Sequence, residues 1–204
     1  MAFDDGPHLK SDLAHFNQHS DKNSNIPLIG VVCRGIQLLN VSKGSIQVDG
    51  TDSTKEILKM YESNPYKDEI RLIMIDSPTL GGFNSPNPFE IFELTKIPII
   101  LLPDKKPKSV INEVYSKVFP EREKQIEFLK KLPKLESLIV SINQDPKISR
   151  EIFFHTIGIT KNEIVDLLNH LSEFSAIPEP LRLAHIIASS YGTSTNKEKI
   201  KKEN

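Results

Sequence analysis

Acidic residues recur in this chain where apolar runs stop. Asp4 follows residues 1–3, Asp49 ends residues 45–48 with Asp52 just beyond, and Asp76 closes the run 70–75. A carboxylate at the carboxyl end of a buried strand is where open α/β sheets place functional groups. Asp4 and Asp5 are neighbours, and a strand points neighbours to opposite faces, so at most one of them faces such a site. Asp4 is the candidate, because Asp5-Gly6-Pro7 has turn composition. Carboxylates that converge without Cys or His partners suit a hard, oxygen-liking cation, Mg²⁺ or Mn²⁺, and not zinc. Such an ion polarises a phosphodiester, generates hydroxide from bound water and stabilises the leaving oxygen. Asp4, Asp49 and Asp76 are therefore candidate metal ligands, with Asp52 the alternative to Asp49. The competing reading of each, taken singly, is an aspartate that forms a turn.

Two further groups carry candidate chemistry. After Asp76 and Pro78 comes Gly81-Gly82-Phe83-Asn84, whose paired glycines permit positive φ and close backbone approach. A displaced base could meet backbone amides there, stack on Phe83 and hydrogen-bond to Asn84. The competing reading is that Phe83 anchors the turn in the core. Near the C-terminus, Arg182, His185 and Ser189 fall in one narrow helical sector, with Leu183, Ala184, Ile187 and Ala188 on the other side. His185 thus shares a polar strip with Arg182, which either contacts phosphate or pairs with Glu179 three residues earlier. His8, His15 and His19, spaced by 7 and 4, match no closed zinc pattern.

The elements that must position these residues follow from periodicity. Residues 26–34, 36–41 and 45–48 read as strands of an antiparallel meander, broken at Gly35 and at Ser42-Lys43-Gly44. Ser53-Thr54-Lys55-Glu56 predicts a capping box that opens a helix to about residue 61 and leaves the Asp52 carboxylate available. The runs 70–75 and 97–102 are too short for buried helices and read as strands buried on both faces. Helices are predicted over 86–94, twice between 107 and 131 with a break at Pro120, and after the capping box Thr160-Lys161-Asn162-Glu163. Residues 138–142 fit either a strand or a helix end, and 151–156 a late strand. A last helix runs from about residue 180 to 191 and ends at Gly192. Residues 193–204 are lysine-rich with nothing to bury and are predicted to be a disordered tail behind a single domain, 1–192. This order is that of a ribonuclease H-like α/β domain, a mixed sheet with flanking helices.

At 204 residues, 38% hydrophobic and 26% charged, the composition is that of one ordinary soluble domain. No apolar run approaches the ~18 residues of a membrane span, and no signal-peptide core opens the chain. The single cysteine, Cys33, excludes an intrachain disulfide. These features predict a cytoplasmic protein that spans no membrane. A net charge of −1 is not the profile of a strongly basic nucleic-acid binder. Phosphate-cradling loops of the P-loop and dinucleotide types are absent.

Several segments taken together resemble one family. Phe3-Asp4-Asp5-Gly6-Pro7, GVVCRG, VDGTDSTKEI, IMIDSPTLGGFN and IPEPLRLAHIIASSYG are similar to the archaeal endonuclease dU family, a relative of endonuclease V. The resemblance extends from Phe3 to Gly192. It implies a ribonuclease H-like fold and metal-dependent cleavage of DNA near a deaminated base, deoxyuridine being the name-giving lesion. DNA, single-stranded DNA included, is the implied partner; the sequence does not fix the oligomeric state. By this resemblance Asp4 matches the first-strand aspartate of endonuclease V, and Asp76 the aspartate that opens its glycine-containing loop. The glutamate between them has no match, so Asp49 or Asp52 would substitute, and His185 would stand for the histidine near the C-terminus. Asp76-Ser77-Pro78-Thr79-Leu80 replaces the family's usual Asp-Gly-Ile-Thr-Phe, and Pro103-Asp104 replaces a usual basic residue. Those departures motivate an alternative, a catalytically weak or inactive nucleic-acid-binding protein on a nuclease scaffold.

Overall fold

The computed structural model describes residues 1–6, 24–103, 105–107 and 109–202. His8, His15 and His19, with Asp104 and Lys108, lie outside the described residues. Strands β1 (Ala2–Asp5), β2 (Asn25–Arg34) and β3 (Gln37–Gln47) form a meander that leads into helix α1 (Ser53–Glu62). Then come β4 (Ile73–Ile75), α2 (Pro88–Thr95), β5 (Ile99–Leu101), α3 (Ile111–Val118) and α4 (Glu123–Lys130). The hairpin β6 (Glu136–Ile142) and β7 (Asp145–Ile157) precedes α5 (Lys161–Leu171) and α6 (Glu179–Lys202). Among the described residues there is one seven-stranded sheet in the order β3-β2-β1-β4-β5-β7-β6. β1, β4 and β5 run parallel at its centre and the other pairings are antiparallel.

The central strands are apolar throughout because both of their faces are covered. Phe3, Ile73, Ile75, Ile99 and Leu101 pack on one side with Ile57 and Met60 of α1 and Ile91 of α2. Ala2, Met74 and Ile100 pack on the other with Ile164 and Leu168 of α5 and Leu181, Ala184 and Ala188 of α6. The two-residue alternation assigns each position to a helical layer, and it carries Asp4 and Asp76 toward the α5–α6 side.

Three local expectations change and one left open is decided. Ser42, Lys43 and Gly44 are not a turn: they pair with Gly30, Ile29 and Leu28 inside β3. The glycine lets α1 come close, since a Cβ at Gly44 would lie 2.5 Å from Glu56 Oε1 and 2.6 Å from Met60 Sδ where α1 crosses the sheet. Residues 138–142 are strand, half of a hairpin turned at Asn143-Gln144. Asp52, not Ser53, is the N-cap of α1, and the capping box at its start does not form. The Thr160–Glu163 box does form. Finally, α6 continues through Gly192 to Lys202 instead of ending at the glycine; an interior glycine costs a helix only about 1 kcal/mol.

β7 closes against α2 at Gly158, where φ is +75° and an added Cβ would run into the Phe92 ring, 2.7 Å from Cζ. A Gly158→Ala variant combines left-handed strain with overpacking and is expected to lose about 2–4 kcal/mol of stability. Urea unfolding reads this directly, and an unchanged midpoint would show that α2 yields freely.

Candidate active site

β1 and β4 lie in parallel register, Ala2 beside Met74 and Phe3 beside Ile75, and the Asp76 N–H donates to the Phe3 carbonyl at 3.1 Å. One residue further on, Asp4 and Asp76 therefore occupy adjacent positions at the carboxyl ends of neighbouring strands, about 4.8 Å apart in the backbone, and on the same face of the sheet. Asp4 is buried, 3% exposed. Its Oδ1 accepts the Asp5 N–H at 2.8 Å, and its Oδ2 lies 2.7 Å from His185 Nδ1. Burial pushes the Asp4 carboxyl above the usual carboxylate range, against the opposing hydrogen bond and charge of His185 and the Asp5 N–H. His185 stands in the polar sector of α6 with 65% of its side chain exposed, so its ring bridges the buried carboxylate and solvent.

Asp76 is half-buried and lines a cavity with Leu102, Pro103, Arg150, Ile152 and Leu181. The β6–β7 hairpin supplies one wall. Leu101 pairs with His155, so the earlier residues of β7 project past the end of β5 and bring Arg150 to the rim. The cavity, about 20 Å³, has room for a water or an ion, not a base. Arg150 and the hairpin arm were not singled out in the sequence; an arginine on a strand whose extent is unclear gives no signal of its own.

The other predicted site residues go elsewhere. Asp49 adopts φ +52°, which turns its carboxylate back so that Oδ1 accepts the Phe83 N–H at 2.9 Å. The Asp52 carboxylate is engaged rather than available: it accepts from Gln47 N at 3.2 Å and from Asn84 Nδ2 at 2.6 Å. Both hold the Gly81–Asn84 turn. Among the described residues, no three His, Cys, Asp or Glu side chains group as a metal site, so the expected set of Asp4, Asp76 and Asp49 or Asp52 is not assembled.

Asn84, expected to read a base, is fully buried. Its Oδ1 accepts the Ser53 N–H at 3.1 Å, an otherwise orphaned donor in the first turn of α1, and its Nδ2 also donates to Gln47 O at 2.9 Å. Asn84 is thus a strut of the turn. Truncation to Ala strands the buried Ser53 N–H and two half-buried acceptors, Gln47 O and Asp52 Oδ1, and Asn84→Ala is expected to cost about 2–4 kcal/mol by urea unfolding. Phe83 anchors the turn, edge-on to Tyr115 at 5.9 Å and to Phe119 at 5.6 Å. Gly81 is buried, its carbonyl accepting the Asp49 N–H at 2.7 Å; Gly82, at φ +81°, is the exposed part of the turn. Arg182 takes the ion-pair reading, with both Nε and Nη2 at 2.7 Å from Glu179. The Cys33 thiol is pushed up to about 11 by burial, in keeping with a packing role.

The Asp4–Asp76 pair fits a hard divalent ion. Mg²⁺ is commonly held by one or two carboxylates, with waters and substrate phosphate oxygens completing an octahedron, and a buried carboxylate raised by desolvation gains from a cation beside it. The pair offers oxygen donors at one rim; the nearby imidazole is already turned to Asp4.

The sheet order, with the carboxylates at the ends of its central parallel strands, is that of a ribonuclease H-like α/β protein. An Archaeoglobus fulgidus protein of unknown function superposes with a TM-score of 0.72 at 21% identity, over 93% of this chain and 95% of that one. Ciona intestinalis endonuclease V, solved with a 24-mer DNA containing an inosine followed by a ribo-adenosine, superposes at 0.51 and 10% identity, over 100% and 85%. In sequence, a Thermococcus sibiricus protein named UPF0215 is 30% identical over 201 residues, 97% of this chain and 94% of its own length. The model of the endonuclease dU family matches residues 1–191. The chain belongs to the endonuclease dU family, a family of nucleases by its name. No helix among the described residues is long and apolar enough to cross a membrane.

Proposed function

We propose that this chain is a divalent-metal-dependent endonuclease that cuts DNA at or near a deaminated base, deoxyuridine first among them, in cytoplasmic DNA repair. The observation that supports it most is the adjacency of Asp4 and Asp76 at one rim of the sheet, with His185 bonded to Asp4. Asp4 and Asp76 would hold Mg²⁺ or Mn²⁺; when bound, the ion supplies Lewis acidity toward the phosphodiester and lowers the pKa of a coordinated water. With Asp4 ionised, His185 Nδ1 donates its hydrogen to Oδ2, which fixes the tautomer and leaves Nε2 as the lone pair toward solvent. Nε2 is then placed to take a proton from the attacking water or to pass one to the leaving oxygen. The exposed backbone at Gly82 offers a close approach for a displaced base. Single-stranded deoxyuridine and deoxyinosine oligonucleotides are the substrates to assay. Cleavage is expected with Mn²⁺ or Mg²⁺, lost on chelation and restored by adding the ion back.

A second reading has a specific observation in its favour. Asp49 and Asp52 are engaged by the Gly81–Asn84 turn, so neither joins Asp4 and Asp76 as the third carboxylate that the resemblance implies. A non-catalytic nucleic-acid-binding protein would bind in a salt-sensitive way and release no product under any metal.

A further inference from the structure

Phe174 takes no part in the mechanism above, yet the structure holds it out to solvent. It lies between α5 and α6 with 56% of its surface exposed, on a loop tied down around it. Ser172 Oγ donates to Leu168 O at 2.7 Å and to Ala176 O at 3.3 Å. The hairpin tip donates Asn143 N–H to Ser172 O at 3.0 Å and Gln144 N–H to Glu173 O at 3.2 Å. The neighbouring Glu173 carboxylate is turned onto the Asn143 and Gln144 side-chain amides. Against the ring lies Arg182, its Cζ 5.7 Å from the centroid. Arg182 is locked by its two bonds to Glu179, which is 4% exposed; a guanidinium fixed in this way holds its charge within cation–π reach of the ring. About one helical turn further along α6, roughly 5 Å of rise, His185 bonds Asp4. Ile186, the next residue on α6, is 49% exposed.

We propose that Phe174, backed by the Arg182–Glu179 pair, is a stacking platform for a nucleobase of the strand that enters the Asp4–Asp76 site. The proposal rests on the nuclease reading and adds to it the residue that places the strand. Stacking on an aromatic ring tolerates any base, because every base has a π-face. The platform would therefore hold one nucleotide of the strand at the start of α6 and leave recognition of the lesion to other contacts. It favours single-stranded or locally opened DNA, in which a base is free to leave its stack.

The chain contains no Trp, so Phe174→Trp installs a single indole at the platform. In an Asp76→Asn background, titration with a single-stranded deoxyuridine oligonucleotide is expected to quench its emission in step with the anisotropy of a labelled strand. For cleavage, Phe174→Ala is expected to raise KM about 5- to 150-fold with kcat nearly unchanged, as loss of uniform binding requires. Phe174→Trp is expected to keep KM near the parent value, a rescue that a merely structural role would not give. Binding without quenching, no binding at all, or an unchanged KM in Phe174→Ala overturns the platform. Quenching without cleavage by the parent chain supports the platform and sinks the nuclease reading alone.

Discussion

Asp76→Asn is expected to lower cleavage of a deoxyuridine-containing strand by on the order of 10³-fold, because a metal site of two carboxylates loses half of its protein charge and several kcal/mol of transition-state stabilisation. The substitution is nearly isosteric, and the backbone bond from residue 76 to the Phe3 carbonyl does not depend on the side chain, so the strand end should keep its place. The strand should still bind, which separates a lost reaction from a lost substrate. The contrast that gives the test its force is Asp49→Asn. Its Oδ1 accepts the Phe83 N–H, an amide oxygen can do the same, and cleavage is expected to stay near that of the parent. If instead Asp49→Asn is the inactive variant and Asp76→Asn cuts normally, the active site lies at the Gly81–Asn84 turn and the assignment to the β1–β4 rim is wrong.

These two aspartates also mark what the sequence could and could not reveal. Asp76 was legible because the apolar run before it admits only a strand buried on both faces, and such a strand in an open sheet delivers its next residue to the rim. Asp4 was separable from Asp5 by strand alternation, and His185 from its aliphatic neighbours by helical sector; the structure then joins Asp4 and His185 across 181 residues. Asp49 follows an apolar run in the same way, but φ +52° reverses its side chain, and no residue type announces a left-handed aspartate. Gly44 misled for the converse reason. Glycine is needed both in turns and where a helix lies close on a strand, and only the packing of Glu56 and Met60 distinguishes them. The hairpin that brings Arg150 to Asp76 was half-visible, since an arm standing out past the sheet has exposed residues on both faces and no clean alternation to read.

Asp4→Asn is expected to move activity and stability in opposite directions. Cleavage falls as for Asp76→Asn, since the residue would hold the ion and orient His185. Stability in the presence of chelator rises, because the neutral amide removes a carboxylate whose burial opposes ionisation, with about 2–4 °C in Tm for each kcal/mol in a chain of this size. The pH dependence fixes the sign. A carboxyl raised in the folded state, against an ordinary value of 3.8, is protonated in both states at low pH and imposes no cost there. As pH climbs past the unfolded value, the unfolded chain releases its proton first, and the folded state loses ground until its own carboxyl ionises. The advantage of Asp4→Asn over the parent should accordingly be smallest in acid and grow as pH rises from there to neutrality. Urea unfolding of both proteins across that range measures it. A variant less stable than the parent at neutral pH would mean that the bond to His185 outweighs the burial of Asp4, and that this carboxylate is a structural tie and not a group held ready for a cation.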